Sequence, residues 1–397
     1  MAKALEDVKV LDFTQVFAGP FGTMMLKDLG ADVIKVERPD GGDSVRNMPP
    51  FTAGHESGQF ININRGKKSI TLNIASEKGL QIAKELVKKV DVVVENFRFG
   101  VMDRQGLGYE ELSKVNPRII YASSSGFGHT GPFRDRPSLD VIAQSMGGMI
   151  SINGFPGDPP VKVGVAVGDF LSTFYGTIAI LAALHYRTIT GEGQEIDISM
   201  QDAVWALTTI EHGPTYFLNN EIPPRRGNGY VGASPDLIHE TKDGCVIIAG
   251  GNNAQFEKLL RIIGREDLIG DERYSTSAGR VNHRAELNDL VREYTRTVTE
   301  EEILDKCIKA GVACSPVLSF DQVANNPQLL SREMVVEIEQ PISGKVKVAG
   351  SVFKMSKTPG DAKLPAPFLG EHNREIYCEM LGYSEQEVRQ LADEGVI

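Results

Sequence analysis

Short apolar runs separated by polar turns dominate the first two hundred residues, and they predict strands. Residues 8–13, 33–36, 69–74, 91–95, 118–123 and 194–199 each have strand length and alternating or continuous apolar character. Helical spacing fills the gaps. It predicts a helix from Pro20 to about Leu29, one over 77–90 behind a Ser76 cap, one over 109–115 stopped by Pro117, and one over 200–217. Residues 39–68 are rich in Gly, Pro and Asn and read as loop. Strands alternating with helices predict an α/β protein with an open, mostly parallel sheet covered on both faces. The character changes at 225–232, which reads as a boundary. Residues 244 to about 323 predict a smaller α+β unit, with helices over 254–263, 284–295 and 300–310. A strand over 345–348, a Pro-rich connector over 358–367 and an amphipathic helix over 384–394 follow. The expected division is a large domain over 1–224, a small domain over 225–330, and a return to the large domain over 331–397.

One stretch breaks the rhythm. Apolar residues alternate from Val161 to Val167, as in a half-buried strand. Gly168 ends the alternation, and Asp169 opens an uncharged apolar segment over 170–186 with helical spacing. An acid at a helix start meets the positive end of the helix dipole and free backbone N–H groups, and both favour its ionised form. Two readings follow from these residues. Asp169 is an N-cap, a role for which Asp is well suited, or it is a carboxylate held charged for attack on a carbonyl.

The chain has 397 residues, which points to more than one core. The net charge of −11 argues against nucleic acid as the main partner. Residues 1–104, however, hold 15 Lys/Arg against 14 Asp/Glu, so an anionic ligand would be steered to the N-terminal part. Cys245, Cys307, Cys314 and Cys378 form no C-x-x-C pair, consistent with a reducing, cytoplasmic setting. The seven histidines show no metal-ligand spacing. The run over 170–186 is shorter than a membrane span needs, and it reads as a buried core helix.

Among candidate motifs, Gly126-Phe-Gly128-His-Thr-Gly131 matches the dinucleotide pattern and follows a strand. Pro132 and Pro137 forbid the helix that would hold a pyrophosphate, so it fails as a nucleotide fingerprint. The turn after the first strand, residues 14–20, is better placed to meet a ligand, because open parallel sheets bind at strand carboxyl ends. Arg38, Arg65, Lys67, Lys68, Arg98 and Arg104 lie near predicted strand ends or in loops, and together they form a candidate phosphate-binding set. Ser123, Ser124 and Ser125 precede the Gly-rich loop, but no G-x-S-x-G motif or His and acid partner marks a serine nucleophile.

Taken together, Val10-Leu-Asp-Phe-Thr14 with Ala18-Gly-Pro20, the run from Leu29 to Arg38, Asp91-Val-Val-Val-Glu-Asn-Phe97, Ser125-Gly-Phe-Gly128, Gly168-Asp169, the run from Thr190 to Ala203, and Leu369-Gly-Glu-His-Asn373 resemble the class III CoA-transferases, the family of formyl-CoA:oxalate and carnitine CoA-transferases. The likeness runs colinearly over nearly the whole chain. It implies a Rossmann-like large domain built from both chain ends, a small domain between two linkers, and an interlocked homodimer. It implies Asp169 as nucleophile, acyl-CoA and a carboxylic acid as substrates, and no metal or redox cofactor. Gln15, Val16, Phe17 and Ala18 would line the site. Arg38 and Arg104 would meet CoA phosphates or the pantetheine arm. Leu72, Asn73, Asn96, Phe97 and Arg98 would flank the nucleotide end, and Asp140 would lie near the reacting centre. Racemases of the family pair the aspartate with a histidine, but here that stretch reads Leu139-Asp140, which removes one base. Formyl-CoA:oxalate enzymes also carry a long glycine-run insertion where this chain has only residues 225–232, so oxalate is a doubtful acceptor. A CoA-binding subunit without turnover is the non-enzyme alternative, and it requires Asp169 to be only a cap.

Overall fold

Strands that carry apolar side chains on both faces must be covered on both, and the central strands of a six-stranded sheet are. In the computed structural model, which describes residues 3–230, 232 and 234–397, the six strands are β1 (Lys9–Asp12), β2 (Asp32–Glu37), β3 (Lys68–Thr71), β4 (Val92–Glu95), β5 (Ile120–Ser125) and β6 (Gln194–Ser199). They form one sheet in the order β3-β2-β1-β4-β5-β6, parallel throughout. Alternate residues divide between two cores. Leu11, Ile34, Ile70, Val93 and Tyr121 pack on one face with Ile82 and Leu86. Val10, Val33, Val92, Ile120 and Ile196 pack on the other with Leu26, Ile180 and Ala183.

The helices are α1 (Ala18–Asp28), α2 (Gly58–Asn64), α3 (Glu77–Val87), α4 (Val101–Arg104), α5 (Tyr109–Val115), α6 (Asp140–Met146), α7 (Met149–Ile152), α8 (Val167–Thr190) and α9 (Met200–Asn219). Ser76 caps α3 by accepting from the Gly79 N–H, as its position predicts. Helix α2 lies in the stretch read as loop. It is capped by Ser57, and it buries Phe60 and Ile61 in a separate cluster with Val336 and Ile338. Its seven residues are too few for helical periodicity to stand out in a loop-like composition.

Two expectations fail around Asp169. Residues 161–166 form no strand, and among the described residues no strand pairs with them. The Gln144 side chain takes over part of that role, accepting from the Val163 N–H and donating to the Val165 carbonyl. Helix α8 is not wholly buried either. Ser172, Thr173, Thr177, Ile180 and Ala183 face the interior, while Ile178 and Ile189 are 63% and 72% exposed. At 24 residues it is long and apolar enough to cross a membrane by length and composition alone, but its inner face is a layer of the sheet core.

The chain divides into two compact units. The first comprises residues up to Met149, Val163–Thr208 and Pro327–Ile397; the second comprises Ile150–Lys162 and Thr209–Asn326. The break therefore falls inside α9, ahead of the boundary expected at 224. The stretch over 225–232, of which Val231 lies outside the described residues, belongs to the second unit. Arg225 donates to the Asp158 carbonyl and Gly227 N–H to Gly154 there, so these residues are anchored rather than a free linker. The second unit builds its core on an antiparallel sheet of β7 (Ile238–Glu240), β8 (Cys245–Ile248) and β9 (Cys314–Pro316). Against it pack α10 (Asn253–Ile262), α12 (Arg284–Thr295) and α13 (Glu300–Ala310), with α11 (Ser277–Asn282) between the first two in sequence.

In the first unit, the hairpin β10 (Val335–Gln340) and β11 (Gly344–Ala349) precedes the C-terminal segment. That segment returns to the free edge of β3. His372 N–H donates to the Ser69 carbonyl, His372 Nδ1 accepts from Ser69 N–H, Asn373 Oδ1 accepts from Thr71 N–H, and Tyr377 donates to the Thr71 carbonyl.

Candidate active site

From β1 the chain moves outward to β2 and β3, and from β4 it moves the other way. Loops leaving the carboxyl ends of such a pair diverge and open a crevice. A cavity of about 330 Å³ lies there. Gln15, Val16, Phe17 and Ala18 line it after β1, Asn96, Phe97, Arg98 and Phe99 after β4, and Ser124, Ser125 and Gly126 at the end of β5. Arg134, Arg136, Ser138, Leu139 and Asp140 contribute from the approach to α6, Asp169 from α8 and Met200 from α9.

Asp169 is not the cap of its helix. The cap position belongs to Ala166, and Asp169 is the third helical residue. Among the described residues, no hydrogen bond or ion pair reaches its carboxylate; only its backbone carbonyl is engaged, by Ser172 and Thr173. The expected stabilisation of the charged form is also overturned. Burial, reinforced by the Asp140 carboxylate, pushes the Asp169 carboxyl up to about 7. The N–H that would otherwise face an acid at this helix start is taken: Gly168 N–H donates to Asp140 Oδ1 at 2.8 Å. Asp140 in turn accepts from the buried Gln144 amide at 2.7 Å. A Cβ on Gly168 would lie 3.1 Å from Ala143 Cβ and 3.2 Å from Asp140 Oδ1, so the missing side chain lets α6 approach α8.

The other sequence-derived candidates separate into distinct groups. Gln15, Val16, Phe17, Ala18, Asn96, Phe97, Arg98 and Asp140 share the cavity with Asp169. The Asn96 amide is committed to the loop opposite: Oδ1 accepts from Gln15 N–H and Nδ2 donates to the Gln15 carbonyl, both at 2.8 Å. Arg38 and Arg104 lie outside the cavity lining and are exposed, Arg38 donating only to the Gly42 carbonyl at 3.3 Å. The Leu72 side chain is buried in the sheet core, and the Asn73 side chain closes a turn by accepting from Ala75 N–H.

Half of the proposed cation set is spent on the fold. Lys67 is wholly buried against Asp12 at 3.0 Å, Arg65 is buried against Asp28 at 2.8 Å, and Lys68 bridges Asp32 and Glu375. Flanking charge made these residues look available in sequence, because their acidic partners are distant along the chain. Arg134 and Arg136 were missed, although their place between Pro132 and Pro137 marks an extended loop.

The Gly-rich stretch after β5 leads into no helix before Asp140, so it cradles no pyrophosphate in the dinucleotide manner. Ser123 does have partners that sequence alone did not reveal. Its hydroxyl lies 2.9 Å from His129 Nε2, and His129 Nδ1 lies 3.3 Å from Glu195. Ser123 is nonetheless buried and does not line the Asp169 cavity. Among the described residues, no group of three His, Cys, Asp or Glu is placed to hold a metal ion.

A model of CoA-transferase family III matches residues 5–373. The chain is 36% identical to succinyl-CoA–D-citramalate CoA-transferase of Chloroflexus aurantiacus, covering 100% of this chain and 98% of that one. It is 37% identical to human succinyl-CoA:glutarate CoA-transferase, covering 100% and 90%, and 36% identical to formyl-CoA:oxalate CoA-transferase of Streptomyces avermitilis, covering 100% of each. Among solved structures, a CAIB/BAIF family protein from Brucella suis superposes with a TM-score of 0.84 at 36% identity, over 96% of this chain and 100% of that one.

Proposed function

The chain belongs to CoA-transferase family III and is a CoA-transferase, and from that premise we propose that Asp169 is its nucleophile, with succinyl-CoA as the donor to test first and a dicarboxylic acid as acceptor. The observation that carries the nucleophile is the Asp169 carboxylate itself, which caps nothing, has no hydrogen-bond or ion-pair partner among the described residues and lines the switch-point cavity. The substrate class is supported by the relatives named for succinyl-CoA with glutarate or D-citramalate and by Arg98, Arg134 and Arg136 in the same cavity.

An Asp169 oxygen bonds to the thioester carbonyl carbon as the C–S bond breaks, giving a mixed anhydride and CoA thiolate. The sulfur then bonds to Asp169 Cγ, releasing the donor acid and leaving an aspartyl-CoA thioester. The acceptor carboxylate attacks that thioester and frees the thiolate again. Attack of the thiolate on the acyl carbon of the second anhydride forms the product and restores Asp169. Each step passes through an oxyanion. Ala18, at the start of α1, lines the cavity, and its backbone N–H is the candidate to stabilise that charge. The intermediates hydrolyse easily, so water must be held out during turnover.

The racemase alternative needs a second base, but Leu139 occupies the place of the histidine and no histidine lines the cavity. The silent-subunit alternative needs Asp169 to cap its helix, and Ala166 holds that position. Incubation with succinyl-CoA and a panel of mono- and dicarboxylic acids, followed by detection of new thioesters, tests the proposal. Transfer to dicarboxylates supports it; transfer to monocarboxylates alone overturns the acceptor class.

Arg38, exposed and outside the cavity lining, is proposed to meet a CoA phosphate. Arg38→Ala is expected to raise KM for acyl-CoA by about tenfold or more and leave kcat nearly unchanged, because a phosphate contact is equal in ground and transition states. Steady-state kinetics against several thioesters checks this, and an unchanged KM makes Arg38 a solvated charge.

The native protein is proposed to be an interlocked homodimer. Its support is the family resemblance and the apolar surface left open along α6, α8 and α9, where Leu139, Ile178, Ile189 and Trp205 are exposed. Dissociation and unfolding are expected to coincide on dilution. A folded monomer sedimenting at nanomolar concentration would contradict it. The free cysteines support a cytoplasmic setting.

A further inference from the structure

Val16 adopts a backbone conformation that its side chain opposes. Its φ is +63°, in the left-handed region where β-branched residues are genuine outliers. It also lines the Asp169 cavity and directly precedes Phe17 and Ala18, which start α1. A strained residue at such a place persists only when its surroundings over-determine it.

Those surroundings are specific. Both oxygens of Asp43 accept from Val16 N–H, at 3.2 and 3.3 Å. Asp43 is buried, and behind it the Lys35 ammonium, with no exposure, lies at 2.9 Å. Burial alone would lower the Lys35 pKa, but Asp43, Asp12 and Glu37 outweigh it and raise it, so the cation is held charged. Lys35 Nζ also donates to the Thr14 carbonyl at 2.8 Å. One buried ion pair thus grips the loop at Thr14 and Val16, while Asn96 grips Gln15 between them.

We propose that Asp43, backed by Lys35, is a positioning residue for CoA transfer: by holding Val16 in its left-handed conformation it fixes the direction of the Phe17–Ala18 backbone that faces the reacting carbonyl. Asp43 does not line the cavity. Released from Asp43, Val16 relaxes to negative φ, and the peptide units after it rotate. The inference rests on the reading that transfer occurs in the Asp169 cavity.

The experiment is a cycle on the full-length protein, with kcat, KM for acyl-CoA and thermal unfolding measured for each variant. Asp43→Asn keeps an acceptor but loses the charge that Lys35 holds. It is expected to lower kcat about tenfold or more while KM changes by less than about threefold, which is the size of effect a released strained residue supplies. Glycine adopts φ of +63° without strain. In the Val16→Gly background, Asp43→Asn is therefore expected to cost less than about threefold in kcat. A folded Asp43→Asn protein with unchanged kcat overturns the proposal, and so does a full loss that persists in the Val16→Gly background. If Asp43→Asn does not fold, Val16→Pro decides, because it forbids positive φ and removes the N–H but leaves the Asp43–Lys35 pair intact. It is expected to lose kcat by more than about tenfold, and a folded Val16→Pro protein with wild-type kcat is the overturning result. Asp169→Ala separates the two readings. If that variant remains active, the cavity reading fails; if it is inactive and the Val16 and Asp43 variants are normal, only this inference fails.

Discussion

Asp169→Ala is expected to lower CoA transfer by about a thousandfold or more while the protein folds and binds CoA as before, since a covalent nucleophile has no substitute in the cavity. Loss of an N-cap would instead cost about 0.5–2 kcal/mol of stability and leave the chemistry of the surviving folded protein intact. Here the outcomes diverge cleanly, because Asp169 caps nothing. The intermediate gives a second measurement. In the aspartyl-CoA state Asp169 is a thioester, so hydroxylamine should convert it to a hydroxamate and borohydride should reduce it to an alcohol. Both marks should appear on the peptide carrying Asp169 only when acyl-CoA is supplied. A folded Asp169→Ala protein that transfers CoA at a comparable rate would falsify the mechanism.

The second large effect is in pH. The nucleophile is the carboxylate, and burial with Asp140 holds Asp169 at about 7. kcat/KM is therefore expected to fall about tenfold per pH unit below 7 and to level off above it. Asp140→Asn removes the like charge but keeps an acceptor for Gly168 N–H. The acid limb should move to lower pH without reaching the ordinary carboxylate range, because burial is the larger cause. Glu95 is also pushed up to about 7 by burial, but Asp140 is not among the charges acting on it, so a limb due to Glu95 would not move. Stability carries the opposite sign. A carboxyl raised in the folded state stabilises fully below its unfolded value of 3.8, and that contribution is lost as pH rises to 7. Asp169→Asn should thus raise the melting temperature at pH 8 and change it little at pH 4. A limb that stays in place in Asp140→Asn assigns the titration elsewhere.

The sheet was legible because buried parallel strands are short continuous apolar runs, as in β1 and β4, while the edge strand β6 shows the alternation of a half-buried strand. The position of Asp169 was legible for a similar reason: a long uncharged segment makes its one acid conspicuous. The start of its helix was misread because residues 161–167 mimic a strand, so the helix seemed to begin at 169 when Ala166 is its cap. The pKa direction was misread because burial, the larger cause, and the Asp140 carboxylate, which lies in another helix, reach Asp169 only through the fold. The same limit explains Lys67 and Arg65. Their partners Asp12 and Asp28 are 55 and 37 residues away, and no local pattern separates a buried ion pair from a free phosphate ligand. Strain at Val16 leaves no trace in sequence at all, since β-branched residues such as valine are not expected at positive φ.

The return of the C-terminal segment to β3 sets an order of events during synthesis. Thr71 emerges from the ribosome long before Asn373, its partner 302 residues later. Until then the outer edge of β3 presents unpaired N–H and C=O groups, the arrangement on which strands of other chains add. Every nascent chain therefore carries an unfinished sheet until the segment around His372 and Asn373 emerges and closes it. Chains truncated ahead of Leu369 should emerge with the sheet built but its border open, and should partition to chaperones or aggregates in place of the finished fold.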